Sequence, residues 1–189
     1  MGLKENSGYD LNKIIQGSYR LANNLPRQQA TPQIQPQNTP TTANSTPSSL
    51  LSLGKISTPY QGSTTYEPQG THQGVDIAMP NKTNIQSPVS GTVIEEKTGQ
   101  GWTPNTPNYG NYITVQDDKG NFLRFSHLSN TYVPVGSTIK KGQVIAQSGG
   151  SGSTYSVSNP GQPGYHLDLR IWNAAKQYYN PIDYLNNNS

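Results

Sequence analysis

The 189-residue chain holds three histidines, His72, His127 and His166, and two of them stand at even spacing from an aspartate. "HQGVD" places His72 and Asp76 four residues apart, and "HLD" places His166 and Asp168 two apart. In extended chain an even separation puts both side chains on one face, with Val75 and Ile77 turned inward. "FSHLS" sets His127 at the end of another apolar run. There is no cysteine, so any transition metal must be held by imidazole or carboxylate. A catalytic metal needs about three protein ligands, an open position, and nearby groups that move protons. His72, Asp76, His127, His166 and Asp168 supply that set if the fold converges them.

Each fragment alone is an ordinary chance match. The weight comes from finding all the imidazoles of a histidine-poor chain in these contexts. "GYHLDLRIW" at 164–172 sharpens the question. Tyr165, Leu167, Leu169 and Ile171 alternate with His166, Asp168 and Arg170, the pattern of a strand with one buried face. Arg170, on the same face, suits either pairing with a carboxylate or, as the simpler reading, an exposed strand charge.

The elements that must position these residues are short β-type runs: 74–79, 91–97, 111–117, 121–128, 142–148 and 165–172. "DDKG" at 117–120 joins the third and fourth as a hairpin. Two Pro- and Gly-rich loops, 99–110 and 149–164, interrupt them, and Trp102, Tyr109 and Tyr155 lie in or beside these loops. They suit either lining a groove or pinning the loops. Gly (19), Pro (15) and Tyr (12) are plentiful and charged residues make up 12%, which suits an all-β domain. A net charge of +3 without a Lys/Arg stripe argues against nucleic acid.

Composition divides the chain into four zones. The pattern in residues 1–27 predicts a short helix, with Asp10 placed to cap it and Leu11, Ile14 and Ile15 on one side; such a helix would need a partner surface. Residues 28–55 are Pro-, Thr-, Gln-, Asn- and Ser-rich, as expected of a disordered linker. Residues 56–185 form the β domain, and 186–189 a polar tail. No run is long and apolar enough for a signal peptide or a membrane span.

Residues 68–185 resemble the lysostaphin/LytM-type zinc metalloendopeptidases. The resemblance rests on "THQGVDIAMPNKTNIQSPVSGTVIE", the "VGSTIKKGQVIA" turn, "GYHLDLRI" and the closing "NPIDYL". It implies a compact antiparallel sheet with long loops framing a groove, and cleavage of peptide bonds in bacterial peptidoglycan. By that resemblance His72 and Asp76 match two zinc ligands, and His127 and His166 match two non-ligand histidines that assist catalysis. The third ligand is the second histidine of an H-x-H motif, and here that position is Asp168.

Two carboxylates and one imidazole bring a dication near zero net charge, which acidifies bound water less and tilts preference towards harder metals such as manganese. Carboxylates do ligate zinc, so the exchange keeps a donor. In an alternative arrangement His166 swings in as the ligand and Asp168 orients an imidazole. Two functions follow: a peptidoglycan endopeptidase carried on a phage particle to the cell wall, with residues 1–27 docking to virion or tail proteins, or a weakened or inactive peptidoglycan-binding or structural module keeping the fold. A carrier-type hairpin domain, suggested by "SPVSGTVIE", leaves the histidines unexplained.

Overall fold

The computed structural model describes residues 50–188. The docking segment and all but the last residues of the linker lie outside that range. The strands run in chain order as β1 (Lys55–Thr58), β2 (Gly74–Ala78), β3 (Asn84–Gln86), β4 (Gly91–Lys97), β5 (Tyr112–Asp117) and β6 (Phe122–Ser126). They continue as β7 (Asn130–Thr131), β8 (Thr138–Ile139), β9 (Val144–Gln147), β10 (His166–Trp172) and β11 (Tyr178–Tyr179). The main sheet has the order β1-β2-β10-β6-β5-β4-β8, with β11 paired to β10, and β3-β9-β7 form a smaller sheet. Every ladder between these strands is antiparallel. The all-β antiparallel expectation holds, and each of the six expected runs contains a strand.

Alternation decides the two faces of the main sheet. Val75, Ile77, Ile113, Val115, Leu123, Phe125, Leu167, Leu169 and Ile171 are fully buried on one face. They join Ile85, Ile145 and Ala146 of the smaller sheet in one hydrophobic core. The opposite face of β10 carries His166, Asp168, Arg170 and Trp172. Register sets Asp76 opposite Asp168 and Gly74 opposite Arg170 on one side, with Ser126 and Arg124 opposite the same pair on the other. Chemistry and core therefore occupy opposite faces of the same strands.

Tyr165 departs from the expected pattern. It is 44% exposed, because β10 starts one residue later and the β2 ladder ends at His166. The 117–120 hairpin is as expected: Gly120 donates to Asp117 O, while Asp117 Oδ1 accepts from the amides of Lys119 and Asn121. The helix α1 (Pro181–Asn187) has no counterpart in the strand pattern, and its signals are local. Asn180 caps it, its side chain accepting from the Ile182 amide at 3.0 Å, and Pro181 opens the first turn. A 3-10 turn at Leu50–Leu53 buries Leu50 in the core.

Candidate metal centre

β2 and β10 are hydrogen-bonded neighbours, and their shared face brings Asp76 and Asp168 together. His72 precedes β2 and folds back over the same spot, its Nε2 3.3 Å from Asp76 Oδ1. One donor atom from each of His72, Asp76 and Asp168 lies within 4.8 Å of the others, and all three residues are buried. His72 Nε2 has no hydrogen-bond partner despite its burial. An orphaned imidazole nitrogen aimed between two carboxylates suits a cation. These three residues therefore fit a divalent metal, with zinc as the softer-donor choice and manganese as the harder.

His166 and His127 stand beside this cluster. His166 Nε2 is 4.0 Å from Asp76 Oδ1, and the two imidazole rings lie 4.7 Å apart. His127 occupies a left-handed backbone conformation, with φ of 60°, just past the end of β6. Few non-glycine residues adopt it, and here Tyr109 O and Ser151 O hold the amide and the ring in place. The five residues selected from the sequence thus come together in one place.

All three imidazoles are oriented the same way. His72 Nδ1 donates to Glu67 Oε2 at 2.6 Å, His127 Nδ1 to Ser151 O at 2.8 Å, and His166 Nδ1 to Gly164 O at 2.8 Å. Carboxylate and carbonyl oxygens only accept, so each Nδ1 carries a proton and each Nε2 is left to face a metal or substrate. Burial opposes charge on His72, yet the Asp76 and Glu67 carboxylates outweigh it and push its pKa up to about 9. Burial and the neighbouring His166 push His127 down to about 3, so it is uncharged near neutral pH.

Arg170 pairs with carboxylates, as one of its two readings had it, and is not the exposed strand charge of the other. It is 6% exposed because strands flank β10 on both sides and the 59–73 segment covers it. Its Nε donates to Asp168 Oδ2 at 2.9 Å, one terminal nitrogen to Tyr109 Oη at 3.0 Å, and the other to Glu67 at 3.1 and 3.2 Å. Glu67 was invisible to sequence reasoning, since it lies outside the stretch that carries the resemblance and in no motif. Burial of Asp168 pushes its pKa up against the opposing pull of Arg170, with Asp76 adding to the rise.

The cluster lies in a cleft of about 1160 Å³. Tyr109 and its neighbours wall it on one side, residues 153–159 and 162–166 on another, and residues 63–67 form a third wall. The two long loops do frame a groove. Trp102 lines a side cavity instead, its Nε1 donating to Thr154 O at 2.8 Å; half-exposed Tyr155 lines both spaces.

An antiparallel sheet that gathers two carboxylates and three aligned imidazoles in a loop-walled cleft has the form of a metal-dependent hydrolase. Residues 70–181 match the model of peptidase family M23, and the chain belongs to that family. It is 35% identical over 81 residues to the peptidoglycan DD-endopeptidase ShyA of Vibrio cholerae, covering 43% of this chain and 17% of ShyA. It is 36% identical over 86 residues to the glycyl-glycine endopeptidase ALE-1 of Staphylococcus capitis, covering 44% of this chain and 22% of ALE-1. The match thus spans about a fifth of these curated relatives. Among solved structures, the catalytic domain of the antimicrobial peptidase lysostaphin from Staphylococcus simulans aligns with a TM-score of 0.55 and 25% identity, over 72% of this chain and 95% of that domain.

Proposed function

We propose that the chain is a zinc-dependent endopeptidase acting on peptide bonds of bacterial peptidoglycan. The observation that carries the reading is the His72–Asp76–Asp168 cluster, within 4.8 Å in the cleft, beside two imidazoles whose Nδ1 atoms are held by backbone carbonyls. Similarity to ShyA and ALE-1 supports the substrate class.

His72 Nε2 and one oxygen each from Asp76 and Asp168 would hold the ion. The chemistry zinc supplies in such a site is polarisation of a carbonyl and acidification of water. His127 and His166 do the proton work. Their rings are 4.7 Å apart and both Nδ1 atoms are already engaged, which leaves the two Nε2 atoms to accept and return the proton. The proton taken from the attacking water is then the one handed to the leaving amine.

One observation favours the second reading, a peptidoglycan-binding module without turnover: Arg170 already engages the Asp168 carboxylate. Digestion of purified peptidoglycan separates the two. Chelator-sensitive release of soluble fragments with new amino termini supports the enzyme, and wall binding without release supports the module. Carriage on a phage particle belongs to the same proposal, supported by the uncharged tether at 28–54 between residues 1–27 and the domain. Deleting residues 1–27 should abolish incorporation into particles; unchanged incorporation would refute the docking role.

A further inference from the structure

We propose that Glu67 is the positioning residue of the metal centre: it holds His72 in the orientation a metal requires and, through Arg170, couples that orientation to Asp168. The inference rests on the metal-site reading above.

Glu67 Oε2 accepts the Nδ1 proton of His72 at 2.6 Å, which points Nε2 at Asp76. Both Glu67 oxygens also accept from one terminal nitrogen of Arg170, at 3.1 and 3.2 Å, while Arg170 Nε binds Asp168. Two ligands almost a hundred residues apart are thus joined by one bridge. The geometry leaves His72 little freedom to rotate, and a carboxylate behind a ligating imidazole also makes it a better donor.

A latch for its own loop would be the simpler role for Glu67. The loop does not need the carboxylate, however. Thr64 N donates to Glu67 O at 2.9 Å, and Glu67 N donates to Thr64 Oγ1 at 3.0 Å, which closes the turn through groups other than the Glu67 side chain. The side chain is spent on His72 and Arg170. Another carboxylate, Glu95 on β4 of the main sheet, binds Arg124, Tyr112 and Thr114 and touches none of the ligands. It provides the control.

The test is zinc titration of the metal-free full-length chain against a chromophoric chelator, with thermal melting of each variant to verify folding. Glu67→Ala should weaken zinc binding about 10- to 100-fold. Glu67→Gln, whose amide oxygen still accepts from Nδ1, should weaken it by about threefold or more, the loss of charge assistance alone. Glu95→Gln should leave it unchanged. In zinc-loaded protein, nitrogen-15 NMR should show the His72 Nδ1 proton protected from exchange in wild type and in Glu67→Gln, and exposed in Glu67→Ala. If Glu67→Ala does not fold, Glu67→Gln decides. Zinc binding as tight as wild type in the Glu67 variants, or an equal loss in Glu95→Gln, overturns the proposal while leaving the metal site intact. A wild-type chain that takes up no zinc removes the metal site and this proposal together.

Discussion

Asp76 and Asp168 stand directly opposite one another in adjacent antiparallel strands, on the face turned towards the cleft, and both are buried. Like charges in that relation are destabilising, and burial magnifies the effect. The arrangement makes physical sense when a cation sits between the carboxylates. Without metal, His72 and Arg170 are the positive groups that offset them.

That opposition sets stability against binding at one residue. Asp168 has its pKa raised by burial and Asp76 despite Arg170, so its ionised form is disfavoured in the fold and its contribution to stability falls as pH rises through its folded pKa. Asp168→Asn should therefore raise the melting temperature of the metal-free chain at neutral pH, by about 2–4 °C for about 1 kcal/mol. Zinc binding should be lost. Calorimetry and elemental analysis on one preparation check both; a lower melting temperature would contradict the electrostatic reading.

Proton competition follows from His72. In the metal-free chain the imidazole keeps its second proton up to about pH 9, and zinc requires a bare Nε2. Zinc binding should displace that proton, and affinity should rise about tenfold per pH unit between pH 6 and 8. Titrations across that range measure the slope, and a flat profile would show that His72 is not a ligand.

Gly74 supplies the space in which Asp168 and Arg170 meet. A Cβ there would come within 2.5 Å of Asp168 Oδ1, 2.8 Å of Arg170 Cγ and 2.8 Å of Leu169 O. Since one of these is backbone, rotating a side chain cannot relieve the clash. Gly74→Ala should destabilise the domain by about 1–3 kcal/mol and weaken zinc binding with it, as read by denaturant unfolding and chelator competition.

The histidines should separate by role. His127→Ala and His166→Ala should each retain zinc and lower peptidoglycan hydrolysis by about 10²- to 10⁴-fold, the usual span for a proton-transferring group. Loss of zinc in His166→Ala would instead favour His166 as the third ligand.

That His72, Asp76, His127, His166 and Asp168 gather in one place was legible because three histidines in a cysteine-free chain left few candidates for a metal centre, and because even spacing on strands fixes a common face. The fold class was legible from alternation and turn residues. What escaped were features created by strand neighbours and loops. The pairing of Arg170 with a carboxylate was one of two readings, but its burial was not legible, since nothing in "HLDLRIW" tells that covered strands flank it on both sides. Glu67 reaches His72 through a loop, where no periodicity operates. The left-handed turn at His127 depends on Ser151 and Tyr109, distant in sequence.

The central claim is that an aspartate serves as the third ligand. A crystal of the zinc-loaded chain, with anomalous scattering measured at the zinc edge, tests it most directly. One peak should appear, bound by His72 Nε2 and one oxygen each of Asp76 and Asp168 at about 2.0–2.2 Å, with Arg170 still on Asp168. A zinc ion ligated by His166, with Asp168 left to Arg170 alone, would contradict it.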